Sequence, residues 1–166
     1  MKSLQKITPC LWFNGQAEAA VQFYTDIFPA SQTGLVLHYG EQDADIHRQP
    51  PGSVLAISFT LDGQSFTALN AGPEFQFTPA VSFQINCETQ DEVDHYWERL
   101  SEGGDPEARQ CGWLKDRFGL SWQVVPTIMM EMLTSNDQAA GQRAMQAMMG
   151  MKKLDIQQLK RAYAGQ

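Results

Sequence analysis

The residues of this chain that could do chemistry are few, and their spacing favours no common catalytic arrangement. Asp43, Asp45 and His47 form an oxygen-rich run of donor side chains, which either binds a metal ion weakly or is a solvated loop. His38 lies on a predicted strand and His95 on a predicted helix, and we interpret both as packed or surface side chains. No Cys-x-x-Cys or His-x-x-x-His spacing occurs, so a structural zinc site is not expected.

The remaining acidic and thiol side chains have structural interpretations. The acidic residues within 88–92 begin a predicted helix, where negative charge is favourable to the helix dipole. Asp116 precedes the last predicted strand, so capping of that turn is favoured over catalysis. Cys87 and Cys111 have no basic neighbour that would activate them, and we interpret both as core thiols.

The composition is that of an ordinary globular protein. The chain has 166 residues, 43% hydrophobic and 19% charged, which suits one domain or two small modules that share a core. A formal net charge of −7 disfavours a nucleic-acid partner, because phosphate contacts need clustered Lys and Arg. There is no apolar run of about 18 residues, so no membrane partner is predicted. Three widely spaced cysteines and no signal-peptide core lead us to expect a cytoplasmic protein.

One short pattern occurs twice. Gly63-Gln64-Ser65-Phe66-Thr67 and Gly119-Leu120-Ser121-Trp122-Gln123 each open an apolar run, and Thr8-Pro9 is matched by Thr78-Pro79. A repeat of module length predicts two similar units that enclose a site. The first copy is longer, and the acidic loop at 40–51 accounts for the difference as an insertion.

Hydrophobic periodicity predicts the order β-α-β-β-β for the first copy. Its predicted elements are strand 7–13, helix 17–28, strand 35–39, loop 40–51, and a hairpin of strands 54–61 and 65–70 around Asp62-Gly63. Asn14 is expected to cap the first helix and Pro29 to end it. In the second copy, the predicted elements are strand 81–87, helix 89–100, and strands 111–114 and 120–125.

The C-terminal segment breaks the repeat. It contains seven of the eight methionines, and residues 136–149 and 153–163 are predicted to be helices separated by Gly150. We interpret the segment as a helical cap on the sheet or, since Met suits adaptable contact surfaces, as a dimer contact; the two are compatible. The predicted organisation is a first module at 1–70, a linker at 71–77, a second module at 78–128 and a helical extension at 129–166.

Many short segments, taken together, resemble one protein superfamily. They are Ile7-Thr8-Pro9 with Leu11-Trp12-Phe13, 17–20, Phe23-Tyr24 before Phe28-Pro29, Gly63-Gln64 with Ala68-Leu69-Asn70, 77–82, Gly103-Gly104, Gly112-Trp113, 115–119, Ser121-Trp122-Gln123, Pro126, 144–149 and 152–156. The chain resembles the PhnB-like branch of the vicinal-oxygen-chelate superfamily, which includes glyoxalase, bleomycin-resistance protein and extradiol dioxygenase. This resemblance implies an α+β fold of paired βαβββ modules (the glyoxalase/bleomycin-resistance fold) plus a C-terminal helical extension.

The resemblance also implies where a metal ion would bind. In the superfamily the ligands are His, Glu or Gln on the first and last strands of each module, and here Pro9, Thr67, Ser82 and Gln123 take those positions. First-row divalent ions prefer imidazole, carboxylate or thiolate ligands, so only Gln123 is plausible. We therefore predict no bound metal and no cofactor.

Neutral polar residues remain as candidates for a site. Strand alternation puts Ser82 and Gln84 on one face, which is either solvated or lines a pocket. Small-molecule pockets combine a few polar groups with aromatic walls. The predicted ligand-binding residues are Trp12, Thr67, Ser82, Gln84, Trp113 and Gln123.

These observations favour a metal-independent, homodimeric protein of the bleomycin-resistance type that binds a small ligand, aromatic or not. No catalytic residue is assigned, because neutral Gln, Ser, Thr and Asn side chains orient a ligand but do not move protons at useful rates. One alternative is a metal-dependent glyoxalase- or dioxygenase-like enzyme that uses Gln123. The least favoured is the 3-demethylubiquinone-9 3-methyltransferase activity whose name this branch often carries, because no Gly-rich loop suited to an adenosyl cofactor follows a first parallel strand.

Overall fold

A computed structural model describes residues 5–42 and 44–166 of the chain. The chain divides into two compact units, Met1–Gln76 and Phe77–Gln166. Each unit contains one β-sheet, and three helices at the C-terminus belong to the second unit. The predicted α+β class and the predicted helical extension are therefore confirmed.

The sheet of the first unit has four strands in the order β1-β4-β3-β2. Their bounds are β1 Cys10–Phe13, β2 Gln32–His38, β3 Val54–Leu61 and β4 Gln64–Asn70. β1 and β4 are parallel, and the other neighbours are antiparallel. The hairpin between β3 and β4 turns at Asp62 and Gly63, whose φ angles of 46° and 77° suit the two-residue turn that Asp-Gly favours. The predicted hairpin is confirmed at this position.

Helix α1, Ala17–Thr25, covers one face of this sheet with the buried side chains of Ala20, Val21 and Tyr24. The helix ends before Phe28, earlier than predicted. Asn14 was predicted to cap it, and this is wrong: the side-chain oxygen of Asn70, on β4, accepts a 2.9 Å hydrogen bond from the Ala17 N–H. The first turn of α1 is thus tied to the sheet that it covers.

The predicted loop at 40–51 contains one short helix, α2, at Ala44–His47. Asp43 lies outside the described residues. Asp45 is exposed, while Nε2 of His47 lies 3.3 Å from the carbonyl oxygen of Gln42 and its Nδ1 accepts a 3.1 Å hydrogen bond from the Gln49 N–H. Both ring nitrogens of His47 therefore have local backbone partners.

The sheet of the second unit has three strands in the order β5-β7-β6, at Ser82–Cys87, Ser121–Pro126 and Trp113–Lys115. Helix α3, Gln90–Ser101, begins with a capping box in which the Thr89 side chain accepts from the Glu92 N–H. A 3₁₀ helix at Pro106–Ala108 follows it. Cys111 was predicted to be in a strand but lies in a turn, with a φ of 52°.

The C-terminal extension forms α4 Thr127–Leu133, α5 Gln138–Met149 and α6 Ile156–Ala164. The last two correspond to the predicted helices, and α4 was not predicted. A buried cluster joins the three helices: Met129, Met132, Ala144, Leu154 and Leu159. Val125 of β7 packs against this cluster, which confirms the interpretation of the extension as a helical cap on the sheet, whereas a dimer contact remains a prediction. None of the helices within 5–42 and 44–166 is long and apolar enough to cross a membrane.

Candidate functional site

Four of the six predicted ligand-binding residues lie on one surface of the second unit, which we call the polar face. It comprises the side chains that share one face of β5, β6 and β7: Ser82, Gln84, Asn86, Trp113, Lys115, Ser121 and Gln123. All of them are exposed or partly exposed except Ser121, which is 3% exposed. Gln123, on the central strand, is in register with Gln84 on one side and Trp113 on the other. Paired residues on adjacent strands share a face, so Gln84, Gln123 and Trp113 form one row across the sheet.

The opposite face of the same sheet belongs to the core. Leu114, Trp122 and Val124 are buried, and they alternate along their strands with the residues of the polar face. Val93 and Leu100, on the inner side of α3, are also buried. This burial requires the polar side chains to lie on the other side of the sheet.

Hydrogen bonds hold the amide side chains of the polar face in place. Nε2 of Gln123 donates to the Ser82 hydroxyl at 2.9 Å, which joins β7 to β5 through side chains. Nε2 of Gln84 donates to Oδ1 of Asn86 at 2.7 Å. The amide oxygens of Gln84 and Gln123 and the Ser82 hydroxyl proton then remain as groups that can accept from or donate to a ligand.

The polar face does not fit a divalent first-row metal ion. Its oxygen and nitrogen donors are amides, hydroxyls and one ammonium group, whereas such ions prefer imidazole, carboxylate or thiolate. Gln123 donates its amide N–H to Ser82, so its neutral amide oxygen is the one atom of this side chain that could still contact a metal ion. Within 5–42 and 44–166, no three His, Cys, Asp or Glu side chains are grouped so that they could hold a metal ion.

Asp116 positions the two strands that carry Trp113 and Gln123. Its side chain is 2% exposed, and Oδ1 accepts hydrogen bonds from the Phe118 and Leu120 N–H groups at 2.8 and 3.0 Å. Oδ2 accepts from Nε1 of Trp122 at 2.8 Å. The prediction that Asp116 caps this turn is confirmed, and its carboxylate faces the interior, away from the polar face.

The helical extension is attached beside the polar face through backbone hydrogen bonds. The Cys111 and Gly112 N–H groups donate to the carbonyl oxygens of Met151 and Lys152, each at 2.8 Å. A Cβ at Gly112 would lie 2.9 Å from the Val124 carbonyl oxygen, so only glycine permits this close approach. Val125, which follows Gln123 on the outward side of β7, packs against the buried cluster of the extension. The extension therefore lies against one end of the polar face.

Thr67 lies in a separate surface of the first unit, which we call the hydroxyl groove. Ser58 pairs with Thr67 and Thr60 pairs with Ser65, so four hydroxyls form a patch on the outward face of β3 and β4. The groove has a volume of about 390 Å³ and is lined by Thr8, Gln32, Gly34, Ser58, Phe59, Thr60, Ser65, Phe66 and Thr67. Trp12 does not line this groove. Its Nε1 donates to the Gly72 carbonyl oxygen at 2.9 Å, and its ring packs edge-on against Phe75 with the ring centroids 4.8 Å apart.

The cysteines differ in their surroundings. Cys87 is fully buried, and desolvation, together with the nearby Glu92 carboxylate, raises the pKa of its thiol to about 12. Its interpretation as a core thiol is confirmed. For Cys111 the same interpretation is wrong: it is partly exposed, and its sulfur lies 3.8 Å from that of Met149. His38 and His95 are both exposed.

Lys115 is a residue of the polar face that was not among the predicted ligand-binding residues. Lys115 pairs with Ser121 and alternates with the buried Leu114, so it lies on the polar face two residues from Trp113. The signal was present in the alternation Trp113-Leu114-Lys115. A three-residue strand is too short for periodicity alone to identify its outward face.

Comparisons with known proteins agree with this architecture. A family model described as 3-demethylubiquinone-9 3-methyltransferase matches residues 5–125. The structure of a PhnB protein from Bacillus cereus, which carries the same description, has 35% sequence identity and a TM-score of 0.63, and the match covers 74% of this chain and 100% of that chain. No curated protein matches.

Two more distant structures show the fold alone. A Pseudomonas aeruginosa protein has 22% identity and a TM-score of 0.56, and the match covers 75% of this chain and 98% of that one. The fosfomycin resistance protein FosX from Listeria monocytogenes has 16% identity and a TM-score of 0.52, and the match covers 81% of this chain and 99% of that one. The predicted glyoxalase/bleomycin-resistance fold is confirmed. The second sheet of this chain has three strands within the described residues.

Proposed function

Because the chain belongs to the family described as 3-demethylubiquinone-9 3-methyltransferase, the PhnB-like branch of the vicinal-oxygen-chelate superfamily, we propose that its function resides on the polar face. The proposed function is metal-independent binding of a small molecule. A fold hosts many activities, so the side chains of the site have to decide between them.

One observation carries the proposal: Gln123 and Ser82 are hydrogen-bonded to each other on the surface where Gln84 and Trp113 also lie. A row of fixed amides beside an indole ring supplies both orienting hydrogen bonds and an apolar wall, which is the usual make-up of a small-molecule site. Amides and hydroxyls have no accessible pKa near neutrality, which supports binding over acid–base catalysis.

The donor set of this face also supports metal independence, since its groups are poor ligands for first-row ions. The test is metal analysis of the freshly purified full-length protein, followed by titration with Zn²⁺, Ni²⁺ and Mn²⁺. We expect less than one bound ion per ten chains and no tight, stoichiometric binding. Tight one-to-one binding that is lost in Gln123→Met would contradict metal independence, and metal-dependent turnover would then be needed to establish the glyoxalase- or dioxygenase-like alternative.

The family description raises methyl transfer, and calorimetry with S-adenosylmethionine tests it directly. We expect no heat of binding, because no Gly-rich loop suited to an adenosyl cofactor follows β1: the loop at 14–16 contains only the single glycine Gly15. Native mass spectrometry of the same preparation would detect a retained small molecule, the direct evidence for a binding protein.

The proposal includes a cytoplasmic homodimer. Three free cysteines suit a reducing compartment. On the extension, Met130 and Met149 expose 62% and 58% of their surface, and exposed Met side chains suit a contact between subunits. Light scattering coupled to size exclusion is expected to give twice the chain mass of 18.6 kDa, and a monomer would contradict this part of the proposal.

A further inference from the structure

We infer that the ligand of the polar face is a small anion with a planar ring, its carboxylate or phosphonate group paired with Lys115 and its ring stacked on Trp113. This inference rests on the proposed function and adds the chemical class of the ligand. It starts from the one formal charge among the outward side chains of β5, β6 and β7, which is that of Lys115.

The backbone under Lys115 is held firmly. Lys115 pairs with Ser121 of β7, and the following residue, Asp116, donates its N–H to the Leu120 carbonyl at 2.9 Å. Gly104 approaches from the other side so closely that a Cβ there would lie 2.1 Å from the Lys115 carbonyl oxygen. The ammonium group therefore extends from a fixed point at the edge of the row that contains Trp113 and Gln123.

The ammonium group of Lys115 has no carboxylate partner among residues 5–42 and 44–166, because no salt bridge in this part of the chain includes it. Oδ1 of Asp116 accepts from N–H groups of its own turn and Oδ2 from Nε1 of Trp122. Glu102 forms a 3.3 Å ion pair with Arg117. Glu88 lies beyond the far end of β5, six residues from Ser82, which corresponds to about 20 Å along a strand. In a chain with a net charge of −7, Lys115 is thus a local positive site.

The neighbouring groups complete the recognition of such an anion. Ser82 is partly exposed and pairs with Ser121, which pairs in turn with Lys115 but is itself buried, with 3% of its surface exposed. An ammonium group and a hydroxyl donor such as that of Ser82 together stabilise an anionic oxygen through charge-assisted hydrogen bonds. Trp113 is two residues from Lys115 on the same face, so a ring attached directly to the anionic group reaches the indole.

The experiment uses three probes of similar size: benzoate, phenylphosphonate and neutral benzamide. Isothermal titration calorimetry on the full-length protein is expected to show binding of at least one of the anions, at least about tenfold tighter than benzamide. Raising the salt concentration should weaken binding of the anion and leave benzamide unaffected, because ion pairing at a partly exposed site is screened.

Variants locate the binding site. Lys115→Met is expected to weaken anion binding at least about tenfold and to leave benzamide binding unchanged, while Lys115→Arg retains most of the affinity because the charge is kept. Lys152→Met, at an exposed lysine of the loop before α6, is the matched control and should bind like the wild type. A Trp113→Leu variant should weaken binding of all three probes.

The outcomes separate this inference from the proposed function. Equal binding of benzamide and the anions, or no effect of Lys115→Met, overturns the anionic ligand and leaves a neutral small-molecule site standing. Failure of all three probes, together with no retained small molecule in native mass spectrometry, overturns both.

Discussion

The amide nitrogen of Gln123 donates a 2.9 Å hydrogen bond to the hydroxyl of Ser82 and so connects the central strand of the second sheet to its edge strand. Gln123 is in register with Gln84, not with Ser82, so the bond runs diagonally across the polar face. It orients the Gln123 amide oxygen away from Ser82. A ligand thus meets a preset acceptor instead of a freely rotating amide, which lowers the entropy cost of binding.

Gln123→Met keeps the length of the side chain and removes its hydrogen bonds. We expect the free energy of unfolding to change by less than about 1.5 kcal/mol, since one partly exposed hydrogen bond is lost. Binding of benzamide, whose N–H groups can donate to the Gln123 amide oxygen, should weaken at least about fivefold. Chemical denaturation and calorimetry measure the two effects. Gln146→Met, at an exposed position of α5, is the control that should alter neither.

Asp116→Asn should destabilise the protein by about 1.5–3 kcal/mol, the usual range for hydrogen bonds to a charged group. The carboxylate accepts from three N–H donors, and an asparagine amide would turn its own N–H groups toward at least one of them. Urea denaturation measures the loss. Asp105→Asn is the matched control, because this exposed cap of the 3₁₀ helix uses one oxygen as its acceptor. A similar stability for Asp116→Asn and the wild type would contradict the assigned role.

Gly104→Ala should destabilise the protein by about 1–3 kcal/mol and also weaken binding at the polar face. The new Cβ would lie 2.1 Å from the Lys115 carbonyl oxygen, so β6 has to move. Gly150→Ala is the control: its Cβ meets the Ala147 carbonyl oxygen at an ordinary 3.5 Å. That variant should be neutral or slightly stabilised. Thermal unfolding compares the two, and equal midpoints would argue against close contact between Gly104 and Lys115.

The three thiols should react at different rates with a thiol reagent at pH 8. Cys10, which is exposed, is expected to react first, and Cys87 only after unfolding, because Cys87 is fully buried and its pKa is raised to about 12. Peptide mapping after timed labelling identifies the modified sites. Labelling of Cys87 at the rate of Cys10 in the folded protein would contradict its place in the core.

The same thiol makes stability depend on pH. The folded Cys87 holds its proton above the ordinary pKa of 9.0, so its contribution to stability is complete below about pH 9. This contribution decreases as pH rises toward 12, because the unfolded thiol ionises first. Unfolding of Cys87→Ala should therefore show a shallower loss of stability between pH 9 and 11 than unfolding of the wild type does. If the free energy of unfolding of the two proteins changed with pH in parallel, folding would not raise the pKa of the Cys87 thiol.

Local patterns predicted much of the fold. Asp62-Gly63 identified the hairpin, because few residue pairs adopt positive φ so readily. Alternation along β5 put Ser82 and Gln84 on one face, since side chains in a strand alternate with a period of two. The repeat matches Thr67 to Gln123. Each of them lies on the strand that comes last in chain order in its sheet, β4 and β7 respectively. In each of these cases the information lies within a few residues of sequence.

The tertiary structure decided what depends on distant partners. Asn70, and not Asn14, meets the first turn of α1, because the end of β4 lies beside that helix. Cys111 is turned out of the core by a backbone that donates to Met151, a residue 40 positions later. The place of Lys115 on the polar face follows from its pairing with Ser121. The sequence by itself determined which elements form and which residue types could line a site. Only strand pairing and packing, which join residues far apart in the chain, decided which of those residues meet.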